Sequence, residues 1–453
     1  MTSGQDLSGK WSGILEFQGQ KLTVIFNIKK IEETYSATMD SPDQGATGIP
    51  IDTVIVNNNI LTLNASALKM DYTGNVNSSF TEIEGTFTQL GNKIPLNLTR
   101  KEIEKKEKIR SQTPEPPFPY NVEEVEFNNN IDSITLAGTL TFPKKGKNFP
   151  AVVMISGSGP QNRDEELFGH RPFMVIADFL TKKGIAVLRF DDRGIGESTG
   201  NFKNATSEDF ANDVLAGIEY LKGRKEIDKS KIGLIGHSEG GMIAPFVASN
   251  TKDVAFIVLM AAPGIATDEL MILQTEKGGE LAGIDNEIIK KNSELQRGMY
   301  SIIKKNYQSE KLDSLLEEYL KNSFADLPAE MKPSSEEETD ALIKIQIKIA
   351  TDKWFQYFIT FNPQIYLQKV KCPVLALNGS LDSQVLPTEN LKGIEKSLKE
   401  GGNKNYKIVE LKGLNHLFQE AKTGAFSEYN QIEHTHSEIF LETMSVWISS
   451  IVK

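Results

Sequence analysis

Residues 231–250 read KIGLIGHSEGGMIAPFVASN: an apolar run, a cluster of glycines around one serine, and then a helical pattern. The run has strand length, and the segment after Gly241 has helical spacing. Gly236-His237-Ser238-Glu239-Gly240 therefore falls where a buried strand turns at once into a helix. A G-x-S-x-G turn in that setting lifts a serine oxygen clear of the backbone. Its glycines are needed because neighbouring side chains would collide there. The pentapeptide alone is a weak signal; the strand before it and the helix after it give it weight.

Working outward, the stretches PAVVMISG, IAVLRFD, AFIVLMAAP and CPVLALNG are further short apolar runs separated by helical patterns. Such alternation marks parallel strands buried on both faces. In TSEDFANDVLAGIEYLKG, Thr206 and Asp209 are placed to form a capping box, and Phe210, Val214, Ile218 and Leu221 make an apolar stripe. Right-handed crossovers then stack these units into one doubly wound sheet. SITLAGTLTFP alternates with period two and reads as its antiparallel entry. The alternation fails at about 265–362, where helical patterns and the aromatic DKWFQYFITF predict an inserted helical cap. Insertions at strand C-terminal ends commonly cover sites, and an aromatic cap implies an apolar pocket.

Toward the N-terminus the period changes to two. Leu22, Val24, Phe26 and Ile28 share one strand face, and TVIVNNNILTLNA and EIEGTFTQ are strands bounded by Asn and Gly turn signals. Residues 1–100 are thus expected to form a small all-β barrel or sandwich. Its GKWSGILE opening resembles the start of lipocalin-like barrels. A charged and then proline-rich stretch, 101–120, with Pro114, Pro116, Pro117 and Pro119, predicts a linker. The remainder, 121–453, is the α/β domain carrying the cap.

A serine hydroxyl is inert until a base takes its proton, and the chain has five histidines. His237 adjoins Ser238 and should point elsewhere; His170 lies in the loop after the first parallel strand. His434 and His436 read as a solvated polar turn, with no third ligand cluster to make them a metal pair. His416 follows the last apolar strand in KIVELKGLNHLF and is the expected general base. Asp382, in VLALNGSLDSQV, is the expected orienting acid, fixing the imidazole's tautomer. Glu389 is the fallback acid, although it stands where the helix TENLKGIEKSL begins and where negative charge suits an N-terminus. Oxyanion donors are expected from the backbone N–H groups of Glu239 and of Ser158 in ISGSGPQNRD, with Gly159 in reserve.

With these residues assembled, the order Ser238, Asp382, His416 resembles that of α/β-hydrolases. SGSGPQNRD, RFDDRGIGEST and GHSEGG together resemble bacterial esterases and serine aminopeptidase-like hydrolases that carry an extra N-terminal β-domain. The resemblance implies an α/β-hydrolase fold: a doubly wound, mostly parallel sheet with an inserted helical cap, beside a small all-β domain. It also implies carboxylesterase activity on short to medium acyl esters, with no metal or organic cofactor. That group usually has histidine where this chain has Ser156, which bears on how the oxyanion loop is supported. Asp192-Arg193-Gly194 matches a recurrent turn of the group and reads as an ion-paired structural loop.

Two other readings stay open. A peptidase acting on a free amino terminus would need acids converging on one end of the pocket; Glu239, Asp164, Glu165 and Glu166 are candidates by position, and all four read equally as solvated charges. A non-catalytic binding protein on the same scaffold is the third, since fold alone never proves catalysis. Composition narrows the rest. With 39% hydrophobic and 25% charged residues the chain is globular in character, and a net charge of −11 offers no basic face for nucleic acid. No stretch approaches the roughly 18 to 20 apolar residues of a membrane span. The single Cys372 rules out an internal disulfide and reads as packing. The leading Met-Thr-Ser-Gly resembles an expression remnant, so the expectation is a soluble, exported protein, periplasmic or extracellular, whose signal peptide was trimmed, with a cytoplasmic location as the alternative. Exposed strand edges in the β-module invite pairing into a homodimer.

Overall fold

A computed structural model describes the chain except residues 1–5, 18–19, 32–33, 43–45, 66–69, 90–91, 102–109, 328–331 and 334. The Met-Thr-Ser-Gly start lies outside the described residues. The chain forms two compact units: Met1–Lys108 with Phe324–Gln346, and Ile109–Ser323 with Ile347–Lys453.

The first unit is built on a ten-stranded antiparallel sheet: β1 (Gly9–Phe17), β2 (Gln20–Ile31), β3 (Thr34–Ser41), β4 (Ala46–Ile51), β5 (Thr53–Asn57), β6 (Ile60–Ala65), β7 (Met70–Val76), β8 (Glu82–Gln89), β9 (Asn92–Pro95) and β10 (Leu98–Thr99). Its order is β4-β3-β2-β1-β10-β8-β7-β6-β5, with β9 beside β8. Val24, Phe26 and Ile28 alternate inward as the period of two demands. Asn58 and Asn59, both at positive φ (48° and 66°), make the tight β5–β6 turn that right-twisted hairpins favour. Trp11 is fully buried, donates Nε1–H to Leu7 O at 2.8 Å, and lies under the Arg100 guanidinium 4.4 Å from its ring centre. That unit also takes in residues 324–346 from within the predicted cap.

The second unit contains a sheet of eight strands: β11 (Tyr120–Asn129), β12 (Ile134–Pro143), β13 (Phe149–Ile155), β14 (Ala186–Phe190), β15 (Ile227–His237), β16 (Phe256–Met260), β17 (Val374–Gly379) and β18 (Tyr406–Leu411). Their order is β11-β12-β14-β13-β15-β16-β17-β18; β11 and β12 are antiparallel and the rest run parallel. Successive residues of one strand serve opposite faces. Leu234 of β15 packs with helices α2 (Ser207–Gly223), α3 (Glu239–Asn250) and α10 (Pro387–Glu400), and Ile235 with α1 (Pro172–Lys182) and α11 (Glu438–Ile451). This is the α/β-hydrolase fold. The Thr206–Asp209 capping box forms at the start of α2.

Between β16 and β17 come α4 (Thr267–Leu281), α5 (Asn286–Lys305), α6 (Leu312–Ala325), α7 (Glu336–Ala350), α8 (Lys353–Thr360) and the short α9 (Pro363–Leu367). The proline-rich stretch from 110 onward belongs to the second unit. Arg110, fully buried, donates there to the carbonyl oxygens of Phe168, Asn430 and Ile432. No helix among the described residues is long and apolar enough to cross a membrane.

Candidate active site

The chain leaves β13 toward β14 on one side and then returns to place β15 on the other. Ligands of open α/β sheets bind at such a reversal, outside the strands' carboxyl ends. Ile155 and Gly236 are paired in register, so the loops that follow β13 and β15 emerge side by side.

Ser238 links β15 to α3 with φ 51° and ψ −116°. Few residues with a side chain adopt such a backbone. The turn is held by Ser238 N–H donating to Met260 O and Gly241 N–H to Ser238 O, both at 2.9 Å. A Cβ on Gly236 would collide with the Gly240 carbonyl, and one on Gly240 with the Ile155 carbonyl. Only glycine permits this crossing.

Another close approach assembles the partners. A Cβ on Gly379, at the end of β17, would strike the Leu414 and Asn415 carbonyls. The loops after β17 and β18 are therefore in contact, and His416 meets Asp382. His416 Nδ1 lies 2.8 Å from Asp382 Oδ2, and Oδ1 accepts from Gln384 N–H and Val385 N–H at 2.9 Å each. Asp382 and His416 are both buried. Three donors fix the carboxylate, so His416 Nδ1 carries the hydrogen and Nε2 is left as the basic nitrogen. Glu389 lies in the first turn of α10, as its helix-start position suggested.

A cavity of about 190 Å³ has Ser238 and His416 on its wall, with Ser158, Glu165, Phe426 and Tyr429. Neither the Ser158 N–H nor the Glu239 N–H has an acceptor among the described residues. Gly157 N–H, by contrast, is committed to Glu165 Oε1 at 2.6 Å. The loop's far side is tied to Asp192, whose Oδ1 accepts from Ser156 Oγ–H at 2.7 Å and Oδ2 from Gln161 N–H at 2.9 Å. Ser156 thus supports the loop through the buried Asp192 carboxyl group. Burial, reinforced by the nearby Glu239 and Asp213 charges, pushes the Asp192 carboxyl up to about 8 despite these donors. Arg193 is turned into ion pairs with Asp213 and Asp132.

Several expectations need correction. His436 is not in a solvated turn. It is buried, its ring nitrogens face Leu417 O and Pro172 O, and burial lowers its pKa to about 3; only His434 is exposed. Three of the four acids are not plain surface charges either; Glu166 is exposed. Glu239 is buried, accepting at Oε1 from Ser207 Oγ–H at 2.5 Å and Trp354 Nε1–H at 2.9 Å, and burial raises its pKa. Asp164 pairs with Arg189, Glu166 with Arg171, and Glu165 with His237. Of the four, Glu165 alone lines the cavity. The cavity's apolar wall comes from Leu167, Leu417, Phe426 and Tyr429, and none of the described residues of 265–362 lines it. The aromatic group of α8 instead packs within the insertion, as in the Trp354–Phe358 stack at 5.0 Å, and reaches the site through Trp354 on Glu239. Periodicity locates an insertion but not the surface that its side chains meet. Cys372 is mostly buried, and burial pushes its thiol up to about 12.

The sequence profile of the family described as X-Pro dipeptidyl-peptidase (S15 family) matches residues 132–410, which includes the elbow, the loop after β13 and Asp382. The chain belongs to this family. Among relatives of this S15-family chain, the esterase EstD of Thermotoga maritima is 30% identical over 311 residues, 68% of this chain and 63% of its own length. The mitochondrial palmitoyl-protein thioesterase ABHD10 of Bos taurus is 32% identical over 136 residues, 29% of this chain and 42% of its own. This chain thus spans less than two thirds of the length of either relative. Among solved structures, the hypothetical protein PA2218 of Pseudomonas aeruginosa aligns with a TM-score of 0.46 at 16% identity, covering 76% of this chain and 97% of that one.

Proposed function

We propose that the protein is a serine hydrolase, a carboxylesterase acting on short acyl esters through Ser238, His416 and Asp382. The observation that carries this reading is the 2.8 Å Asp382–His416 contact in a cavity that His416 shares with an elbow serine. Ser238 Oγ attacks the ester carbonyl carbon while His416 Nε2 takes its proton. The oxyanion is met by the Ser158 and Glu239 N–H groups, both without another acceptor among the described residues. Collapse expels the alcohol, which leaves with the proton from His416. Water then attacks the acyl-Ser238 ester by the same route, releasing the acid and restoring the serine. Asp382 stays ionised throughout and stabilises the imidazolium.

The cavity of about 190 Å³ is small beside the roughly 300 to 1,000 Å³ of drug-sized ligand pockets. That favours acetyl to butyryl groups. The peptidase reading draws on the family's name and on Glu165 in the cavity wall, but Glu165 already faces His237 as its counter-charge. An incoming ammonium would compete for it, so the ester is preferred.

Hydrolysis of p-nitrophenyl butyrate and covalent labelling by a fluorophosphonate test the assignment. Ser238→Ala is expected to lower turnover by about 10⁴-fold or more and to abolish labelling while folding persists. Equal activity in both proteins would end it.

A further inference from the structure

His237 stands one residue before Ser238, and the catalytic scheme above gives it no task. Yet it is buried at 4% exposure against Glu165 at 6%. Its Nδ1 lies 2.9 Å from Glu165 Oε1, and its Nε2 lies 3.1 Å from the carbonyl oxygen of His416. A carbonyl only accepts, so Nε2 carries a hydrogen. Glu165 Oε1 already accepts from Gly157 N–H at 2.6 Å. An oxygen receiving that short bond while facing a second nitrogen is acting as a carboxylate acceptor, so Nδ1 carries a hydrogen as well. With Glu165 ionised, both ring nitrogens donate. Glu165 itself sits at φ 51°, a left-handed backbone that strains a residue with a side chain. Strain of that kind persists where the surroundings enforce it, and it collects at functional sites.

We propose that Glu165 and His237 form a buried carboxylate–imidazolium pair that positions all three catalytic segments: the oxyanion loop, the nucleophile elbow and the base loop. The inference rests on reading Ser238 as the nucleophile and His416 as its base. Through Gly157 N–H the pair sets the loop that presents the Ser158 N–H. Through the backbone of His237 it holds the serine, and through the His416 carbonyl it holds the base. These are positioning residues; neither touches the reacting atoms. The space is tight enough to transmit a shift, since a Cβ on Gly157 would lie 3.1 Å from Glu165 Oε1 and 3.2 Å from the Ser238 Cβ.

The pair also acts on the base electrostatically. The two imidazole rings are 4.8 Å apart between centroids. The charged and titratable groups facing His237 are Glu165 from the oxyanion loop, Asp382 and His416 from the loops after β17 and β18, and His436 from the segment before α11. Burial opposes a charge on His237, but the Glu165 carboxylate outweighs it and holds the ring's pKa above the usual value. A positive charge held this close to the reacting site opposes a second one there.

Three measurements decide the matter. In nitrogen-15 spectra of the wild-type protein, one histidine should keep both ring nitrogens protonated at about pH 7.5, where an ordinary imidazole has mostly lost one, and its signal should vanish in His237→Gln. In Glu165→Gln, His237 loses its counter-charge and becomes neutral. Then kcat should fall by about 10- to 100-fold with KM nearly unchanged. The acid limb of kcat/KM should move toward alkaline pH by about half a unit or more, because the positive charge beside the reacting site is gone. A merely structural carboxylate would leave that limb in place. Wild-type kcat and an unmoved limb in Glu165→Gln, with Ser238→Ala inactive, would overturn the pair alone. Activity surviving in Ser238→Ala would overturn the nucleophile reading instead. Should Glu165→Gln not fold, the wild-type spectra still decide: no doubly protonated histidine at pH 7.5 would sink the proposal.

Discussion

Asp382 holds His416 from one side only: Oδ2 faces the ring nitrogen at 2.8 Å, and Oδ1 is occupied by the Gln384 and Val385 N–H groups. The carboxylate cannot swing away from the imidazole without breaking backbone bonds. In Asp382→Asn the amide oxygen satisfies those N–H groups and its NH₂ faces Nδ1, which then becomes an acceptor. The hydrogen moves to Nε2, where Ser238 needs a base. We expect kcat for p-nitrophenyl butyrate to drop by about 10⁴-fold with an unchanged melting temperature. Steady-state kinetics with calorimetry check this.

Gly236→Ala attacks the elbow itself. Its methyl would overlap the Gly240 carbonyl, which is backbone and has no room to yield. Overpacking of this sort costs about 1 to 3 kcal/mol or more. The expected result is a lower urea midpoint together with loss of fluorophosphonate labelling, since relieving the clash moves Ser238.

Asp192 makes stability depend on pH in an unusual direction. Its folded pKa of about 8 lies above the unfolded value near 4, so between them the folded state binds more protons. That contribution is full below the unfolded value and is lost as pH rises toward 8. His436 acts oppositely: with a folded pKa of about 3, its contribution is present above about 6.5 and lost on acidification toward 3. Between about pH 6.5 and 8 only the Asp192 slope remains of the two. Urea titrations should therefore show wild-type stability falling over that window, and Asp192→Asn should flatten the fall.

Phe426 is half exposed and stands on the cavity wall. Phe426→Ala opens the pocket at its rim without touching Ser238, His416 or Asp382. The ratio of kcat/KM for p-nitrophenyl octanoate over butyrate should rise by about tenfold, with the butyrate rate changed little, because each added methylene gains apolar cover worth about 0.8 kcal/mol at most.

Glycine and serine spacing made the elbow readable from sequence, because the backbone crossing at Gly236 and Gly240 excludes every other residue. Strand runs buried on both faces marked the parallel sheet, and the strand ends they defined pointed to Asp382 and His416. These are local constraints, written wherever a single residue's size or polarity is forced by its own neighbours in the chain. The tertiary structure alone decided the rest. Glu165 and His237 are 72 positions apart, and nothing near either of them shows that one is the other's counter-ion. The aromatic stretch around Trp354 suggested an apolar pocket under a cap, but Trp354 is spent on Glu239, and His436 looked solvated but is walled in by Leu417 and Pro172. Which polar group meets which across folded loops depends on long-range packing, and hydrophobic periodicity carries information about a residue's face, not about the partner waiting there.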